Sequence, residues 1–389
     1  MTNKISRWTK LIQPQTTGTV FCSLTDSITR ASTITFDNVE KLRNRDWRDK
    51  SQYSYGLQGT PITRRLERQL ADIDEVAHGL LYPSGLSAIC MTMIALLKTG
   101  DKVLMPQNCY GPALEMARFM SQHSGIEFSI YNPLDLSTLI FDKNTRLVWV
   151  ETPGSITMEI ADLPAIAALA HKNNAIVAVD ATWSAGISME VFKLGADLSI
   201  QALTKYQSGG SDVFMGSVTT ADNAIHDQLY LTRTIFGIGV SPEDCYLILR
   251  SLPHLKLRYL AQDQSARKIA RWLTKHPLVE QVLHPAFDSC PGHDIWLRDF
   301  SAAASLFSVV MRPDITQDDI DYAVNELNLF RLGVSWGGAV SLVIPYTKDQ
   351  IFSGYEYKGC LVRFYIGLEE TDDLIADIAQ AFSKMNIRN

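Results

Sequence analysis

The sequence has no strong charge bias: 36 Lys and Arg stand against 42 Asp and Glu in 389 residues, a net charge of −6 and a pI near 5.8. A general nucleic-acid binder needs a basic excess to neutralise phosphates, so that class is excluded. Long apolar runs are missing too. The longest, Leu86 to Leu97, spans 12 residues, enough for a buried helix and short of the roughly 20 needed to cross a bilayer. Residues 1–20 have no apolar signal-peptide core, so a cytoplasmic location is expected. Six cysteines, at 22, 90, 109, 245, 290 and 360, include no C-x-x-C pair, and the eight histidines show no H-E-x-x-H spacing. Reduced core thiols and no metal site are expected. Nor is there an internal repeat. What remains is a soluble globular chain, 46% hydrophobic and 20% charged, long enough for two domains.

Two strand ends carry the chemistry. Ala175-Ile176-Val177-Ala178-Val179 is an unbroken apolar run closed by Asp180, and Leu198-Ser199-Ile200-Gln201-Ala202-Leu203-Thr204 leads to Lys205 before the small-residue loop Gln207-Ser208-Gly209-Gly210-Ser211. Such runs fit parallel strands covered on both faces, whose carboxyl ends are where α/β sheets bind ligands. Taken singly, each residue has a blander reading: a lysine at a strand end is usually solvated, and an aspartate there usually caps the next helix. Together they are the pair that pyridoxal 5′-phosphate requires, an amine for its aldehyde and a carboxylate for its pyridine nitrogen. Burial would lower the lysine pKa and free the amine as a nucleophile and base.

The rest of the chain reads as alternating strands and helices, hence a mostly parallel sheet flanked by helices. Residues 1–58 have little apolar periodicity and form an expected arm that packs elsewhere. A large domain is expected over 59–252 and a smaller α+β domain over 253–389. Within the large domain, strands are expected at 77–81, 101–106, 146–151, 175–180, the run ending near Lys205, and 213–219. Tyr82-Pro83-Ser84-Gly85-Leu86 joins the first of these to a helix, a strand–turn–helix junction whose free amides suit a phosphate. Tyr110 follows the second strand, where its ring could stack on a heterocycle.

These features resemble the fold type I pyridoxal-phosphate enzymes that act on cysteine and methionine derivatives, and within them the bacterial cystathionine β-lyases. The resemblance runs through Tyr55-Gly56, Tyr82-Pro83-Ser84-Gly85, Asn108-Cys109-Tyr110, Thr152-Pro153-Gly154-Ser155-Ile156-Thr157-Met158-Glu159, Val179-Asp180-Ala181-Thr182-Trp183, Ser199 to Tyr206, Ser335-Trp336-Gly337-Gly338 and Arg363. It implies an aminotransferase-like α/β fold with pyridoxal phosphate held as a Schiff base on Lys205 and by Asp180. Tyr110 would stack on the ring and assist proton transfer; Gly85, Leu86 and Thr204 would hold the phosphate, and Tyr55 would reach it from a neighbouring subunit. Arg363 would bind the substrate carboxylate, with Ser155, Ser335 and Trp336 lining the same end. The implied assembly is a dimer of dimers. The implied reaction is α,β-elimination of L-cystathionine, an amino-acid thioether, to homocysteine, pyruvate and ammonia.

Three departures from the family pattern stand out. Leu57 occupies a position that is commonly arginine, which removes one cation from the phosphate site unless Arg64 or Arg65 replaces it. Ala339-Val340-Ser341-Leu342 lacks a glutamate often found there, and Val334 replaces a glutamate of γ-acting relatives. The competing readings are a cysteine desulfhydrase or other carbon–sulfur β-lyase, a γ-lyase, and a catalytically silent protein of the same fold.

Overall fold

The computed structural model describes residues 5–13, 24–351 and 357–385; Cys22 lies outside them. In chain order the first half forms α1 (Arg7–Ile12), α2 (Val39–Arg43), α3 (Pro61–Asp74), β1 (His78–Tyr82), α4 (Gly85–Leu96), β2 (Lys102–Pro106), α5 (Gly111–Ser124), β3 (Glu127–Tyr131), β4 (Thr145–Glu151), α6 (Leu163–Lys172), β5 (Ile176–Asp180) and β6 (Leu198–Ala202). The second half adds β7 (Gly216–Thr220), α7 (Asn223–Ile235), α8 (Pro242–Ser251), α9 (Leu255–Leu273), β8 (Val279–Leu283), α10 (His293–Asp299), β9 (Leu306–Met311), α11 (Gln317–Asn325), β10 (Arg331–Leu332), β11 (Leu342–Tyr346), β12 (Leu361–Tyr365) and α12 (Thr371–Ser383).

Among the described residues the strands make two sheets. The larger has the order β1-β7-β6-β5-β4-β2-β3. Its inner strands are apolar on both faces: Leu147, Val148, Trp149 and Val150 of β4 and Val177, Ala178 and Val179 of β5 are all fully buried. Burial on both faces is what a parallel sheet layered with helices imposes. Only β7 runs against its neighbours, pairing antiparallel with β1 and β6. The smaller sheet, β10-β11-β12-β9-β8, is antiparallel except at β10. α9 and α12 pack together, and α9 also lies on β8 and β9. The expected α/β architecture with a second, smaller sheet is therefore present.

The expected elements differ from the observed ones in places. The strand anticipated at 213–219 begins at Gly216. α5, β3, β8, α10 and β11 carry no periodicity strong enough to announce them, since β3 is half exposed and β8 and β11 are edge-proximal. Part of the expected N-terminal arm packs on its own chain: Arg7 Nη1 donates to the Ile73 carbonyl at 2.8 Å and Leu11 is buried. The described cysteines are all free. No described helix is long and apolar enough to cross a membrane, and no cluster of metal-ligating side chains occurs among the described residues.

Candidate active site

β4, β5 and β6 run parallel, so their carboxyl ends open side by side onto one cleft of about 640 Å³. Glu151, Asp180 and Ala202 are the last residues of those strands, and all three line it. Lys205 sits in the turn just past β6. From the other side Ser335, Trp336 and Arg363 enter from the half of the chain that carries the smaller sheet. Residues separated by more than 150 positions thus meet because the two sheets face each other across the gap.

Lys205 Nζ donates to Ser335 Oγ at 2.8 Å and lies 5.3 Å from the centre of the Trp336 ring. Burial, with a further push from the Arg363 charge, lowers its pKa to about 8 against the weaker pull of Asp180. Near neutral pH a usable fraction of this amine is therefore uncharged. Asp180 is driven up from the ordinary carboxylate range by burial, while the Thr182 hydroxyl and amide, donating at 2.6 and 3.1 Å, and the Lys205 charge hold it down. Arg363 is 6% exposed. Its Nη1 and Nη2 donate only to the carbonyls of Ser155 and Val334, each at 3.3 Å, and burial lowers its pKa. Among the described residues no carboxylate pairs with it. A desolvated guanidinium satisfied by two long carbonyl contacts is a ready receptor for a carboxylate.

The opposite wall is built for close approach. Ser84 caps α4 by accepting from the Ser87 amide at 3.0 Å. Gly85 and Leu86, whose amides have no intrahelical acceptor, line the cleft. A Cβ on Gly85 would come within 2.5 Å of the Ala202 Cβ, and one on Gly216 within 2.3 Å of the Ser84 carbonyl oxygen. Only glycine at both places lets the helix start sit directly against β6 and β7, where an anionic group can meet bare backbone. Gly337 acts likewise, since its Cβ would fall 2.5 Å from Lys205 Cα. A phosphorylated ring fits the residues present: an N-terminal helix cradle, an amine, and an acid on the neighbouring strand.

Other expected residues fall into place unevenly. Tyr110, the N-cap of α5, is 41% exposed and lines the cleft, and so does Ser155. Thr204 lines it as well, with its hydroxyl engaged by the Met215 amide at 3.1 Å and carbonyl at 3.3 Å. Tyr55 is outside the lining of its own subunit's cleft; it is half exposed and bridges to Thr33. Within its own subunit Arg64 stacks over Tyr53 at 4.1 Å and Arg65 pairs with Asp26. Glu151 lines the cleft without being among the expected residues. Its signal was available, because Val150-Glu151 repeats on β4 the apolar run ending in an acid that singled out Val179-Asp180 on β5.

A mixed sheet whose strand ends bring a lysine and an aspartate to one cleft, facing an arginine that no carboxylate pairs with among the described residues, defines a fold type I pyridoxal-phosphate enzyme. Residues 8–383 match the model of the Cys/Met metabolism PLP-dependent enzymes, and the chain belongs to that family. It is 34% identical over 369 residues to cystathionine beta-lyase MetC of Escherichia coli, covering 92% of this chain and 93% of that one. It is 35% identical to a cystathionine beta-lyase of Bordetella avium, covering 91% of each. An L-alanine/L-glutamate racemase of Wolbachia pipientis is 32% identical over 87% of this chain and 84% of its own. The crystal structure of metB from Corynebacterium glutamicum superposes with a TM-score of 0.90 at 27% identity, covering 98% of this chain and 99% of that one.

Proposed function

We propose that the protein is a carbon–sulfur lyase that cleaves L-cystathionine by α,β-elimination to homocysteine and a three-carbon enamine, which water hydrolyses to pyruvate and ammonia. The observation that carries this reading is the pairing of Lys205, an amine with its pKa lowered to about 8, with the uncompensated Arg363 in one cleft. Arg363 anchors the α-carboxylate through its planar fork and so sets Cα within the field of Lys205. When bound, pyridoxal phosphate supplies an electron sink for the pair released at Cα. Lys205 Nζ takes the α-proton, and the ammonium so formed returns a proton to the departing sulfur, with Tyr110 as the second acid within the cleft. Asp180 holds a proton on the ring nitrogen. The amides of Gly85 and Leu86 meet the phosphate. Tyr55 from a second copy of the chain completes that site in a dimer, two dimers forming a tetramer.

Val334 supports β- over γ-cleavage: it is apolar and 87% exposed beside Ser335, where an acid would be needed to hold a distal ammonium. The relatives named cystathionine beta-lyase support the same choice, while the racemase relative favours a second reading in which the α-proton is exchanged without loss of sulfur. One assay separates them. Purified holoenzyme given L-cystathionine should release pyruvate in step with homocysteine. Release of 2-oxobutyrate would mark γ-cleavage, and conversion of L-alanine to D-alanine without keto acid from cystathionine would make the protein a racemase.

A further inference from the structure

Glu151 and Asp180 are register partners on adjacent parallel strands, so their side chains leave the sheet on the same face at neighbouring positions. Both line the cleft. Glu151 is 8% exposed, and no ion pair among the described residues includes it. Its surroundings are mapped by what reaches it: the Tyr110 amide donates to Oε2 at 2.6 Å, and the Ser155 side chain, Asp180 and the buried Cys109 thiol lie close enough to be felt. Two acids side by side in low dielectric do not both ionise. Asp180 has two donors from Thr182 and the Lys205 ammonium on its side, whereas Glu151 has the heavier burial and no cation.

We propose that Glu151 is a positioning residue held as a neutral carboxylic acid, which ties the Tyr110 backbone to the strand end next to Ser155 and leaves Asp180 as the lone anion available to a pyridine nitrogen. Burial first and then the Asp180 charge raise its pKa, outweighing the Tyr110 amide and Ser155, which favour the ionised form. Through Tyr110 it sets the start of α5, and through Ser155 it reaches the carbonyl that accepts from Arg363. The inference uses the cofactor of the family and is independent of which thioether is cleaved, so a failure of cystathionine turnover leaves it standing or falling on its own measurements.

The test compares wild type with Glu151→Gln, Glu151→Asp and Glu151→Leu as holoenzymes. Infrared spectra in H₂O and D₂O should contain a protonated-carboxyl C=O band at neutral pH that disappears in Glu151→Gln. Glutamine keeps the carbonyl acceptor and the neutral charge, so its cofactor absorption should titrate within about 0.3 pH unit of wild type and its kcat/KM should stay within about three-fold. Leucine removes the acceptor for the Tyr110 amide and should lower kcat by about 10-fold or more while changing KM little; aspartate, which cannot span the gap, should fall between. If leucine does not fold, the band and the glutamine titration still decide. A missing carboxyl band, or a glutamine variant whose cofactor titration moves by about a full unit, would overturn the proposal by showing Glu151 ionised.

Discussion

Two sets of buried charges in this molecule are treated in opposite ways. Between α3 and α7, Glu67 and Arg233 form an ion pair at 2.8 Å, with side chains 7% and 6% exposed. Burial pushes Glu67 up, but Arg233 and Lys50 outweigh it and hold the carboxyl below its usual range. In the cleft, Arg363 has carbonyls in place of a carboxylate, Lys205 has a hydroxyl, and Glu151 has a second acid beside it. Charges that serve the fold are matched within it. Those in the cleft are desolvated and left incomplete, so that a bound ligand supplies the missing partner.

The sharpest way to break this contrast is to remove the amine. Lys205→Ala should fold, lose the lysine-linked absorption of the cofactor, and lower turnover by at least about 10³-fold, read by steady-state kinetics with a full visible spectrum. Next come the two arginines. Arg233→Met strands Glu67 and should cost about 3–5 kcal/mol in chemical denaturation, with the cofactor spectrum unaltered. Arg363→Leu should do the reverse: kcat/KM falls by about 10²-fold through the lost fork, while the substrate-free protein gains about 1 kcal/mol because an incompletely satisfied guanidinium is gone. If both variants destabilise alike, the distinction between structural and functional charges fails.

The amine also sharpens the comparison through pH. Its folded pKa of about 8 lies below the unfolded value of 10.5, so the unfolded chain binds the proton more tightly. Stability of the cofactor-free protein therefore rises with pH between about 8 and 10.5, and below 8 the full penalty of a desolvated ammonium is present. Lys205→Met should be more stable at pH 7 by on the order of 2 kcal/mol, discounted for the partial exposure of the amine, and the difference should vanish above pH ~10.5. Melting curves across that range check it. The smallest effect is expected at the cradle: in Gly85→Ala the new methyl meets Ala202 at 2.5 Å, so α4 must withdraw and cofactor affinity should drop about 10-fold, measured by fluorescence titration.

Much of this was legible in the residues. The apolar runs ending in Asp180 and near Lys205 announced buried parallel strands, and both ends open on the cleft because strand direction alone determines where such ends point. Gly85 and Ser84 announced the helix start. Glu151 is equally visible, but a single carboxylate at a strand end has no meaning until its neighbour in the sheet is known. α5, β3 and β11 stayed hidden, since partly exposed elements show neither clean alternation nor a full apolar face.

Residue types and their order were enough to point to the family, its cofactor and several residues that line one cleft, because local patterns such as an acid closing an apolar strand survive reading in one dimension. The tertiary structure decided which of those residues face one another. Strand order placed Glu151 beside Asp180, the two sheets brought Arg363 and Ser335 to Lys205, and the packing left Arg363 without a counter-charge among the described residues. Protonation states follow from that last step, since charge–charge coupling and desolvation depend on distances in space and not on separation along the chain.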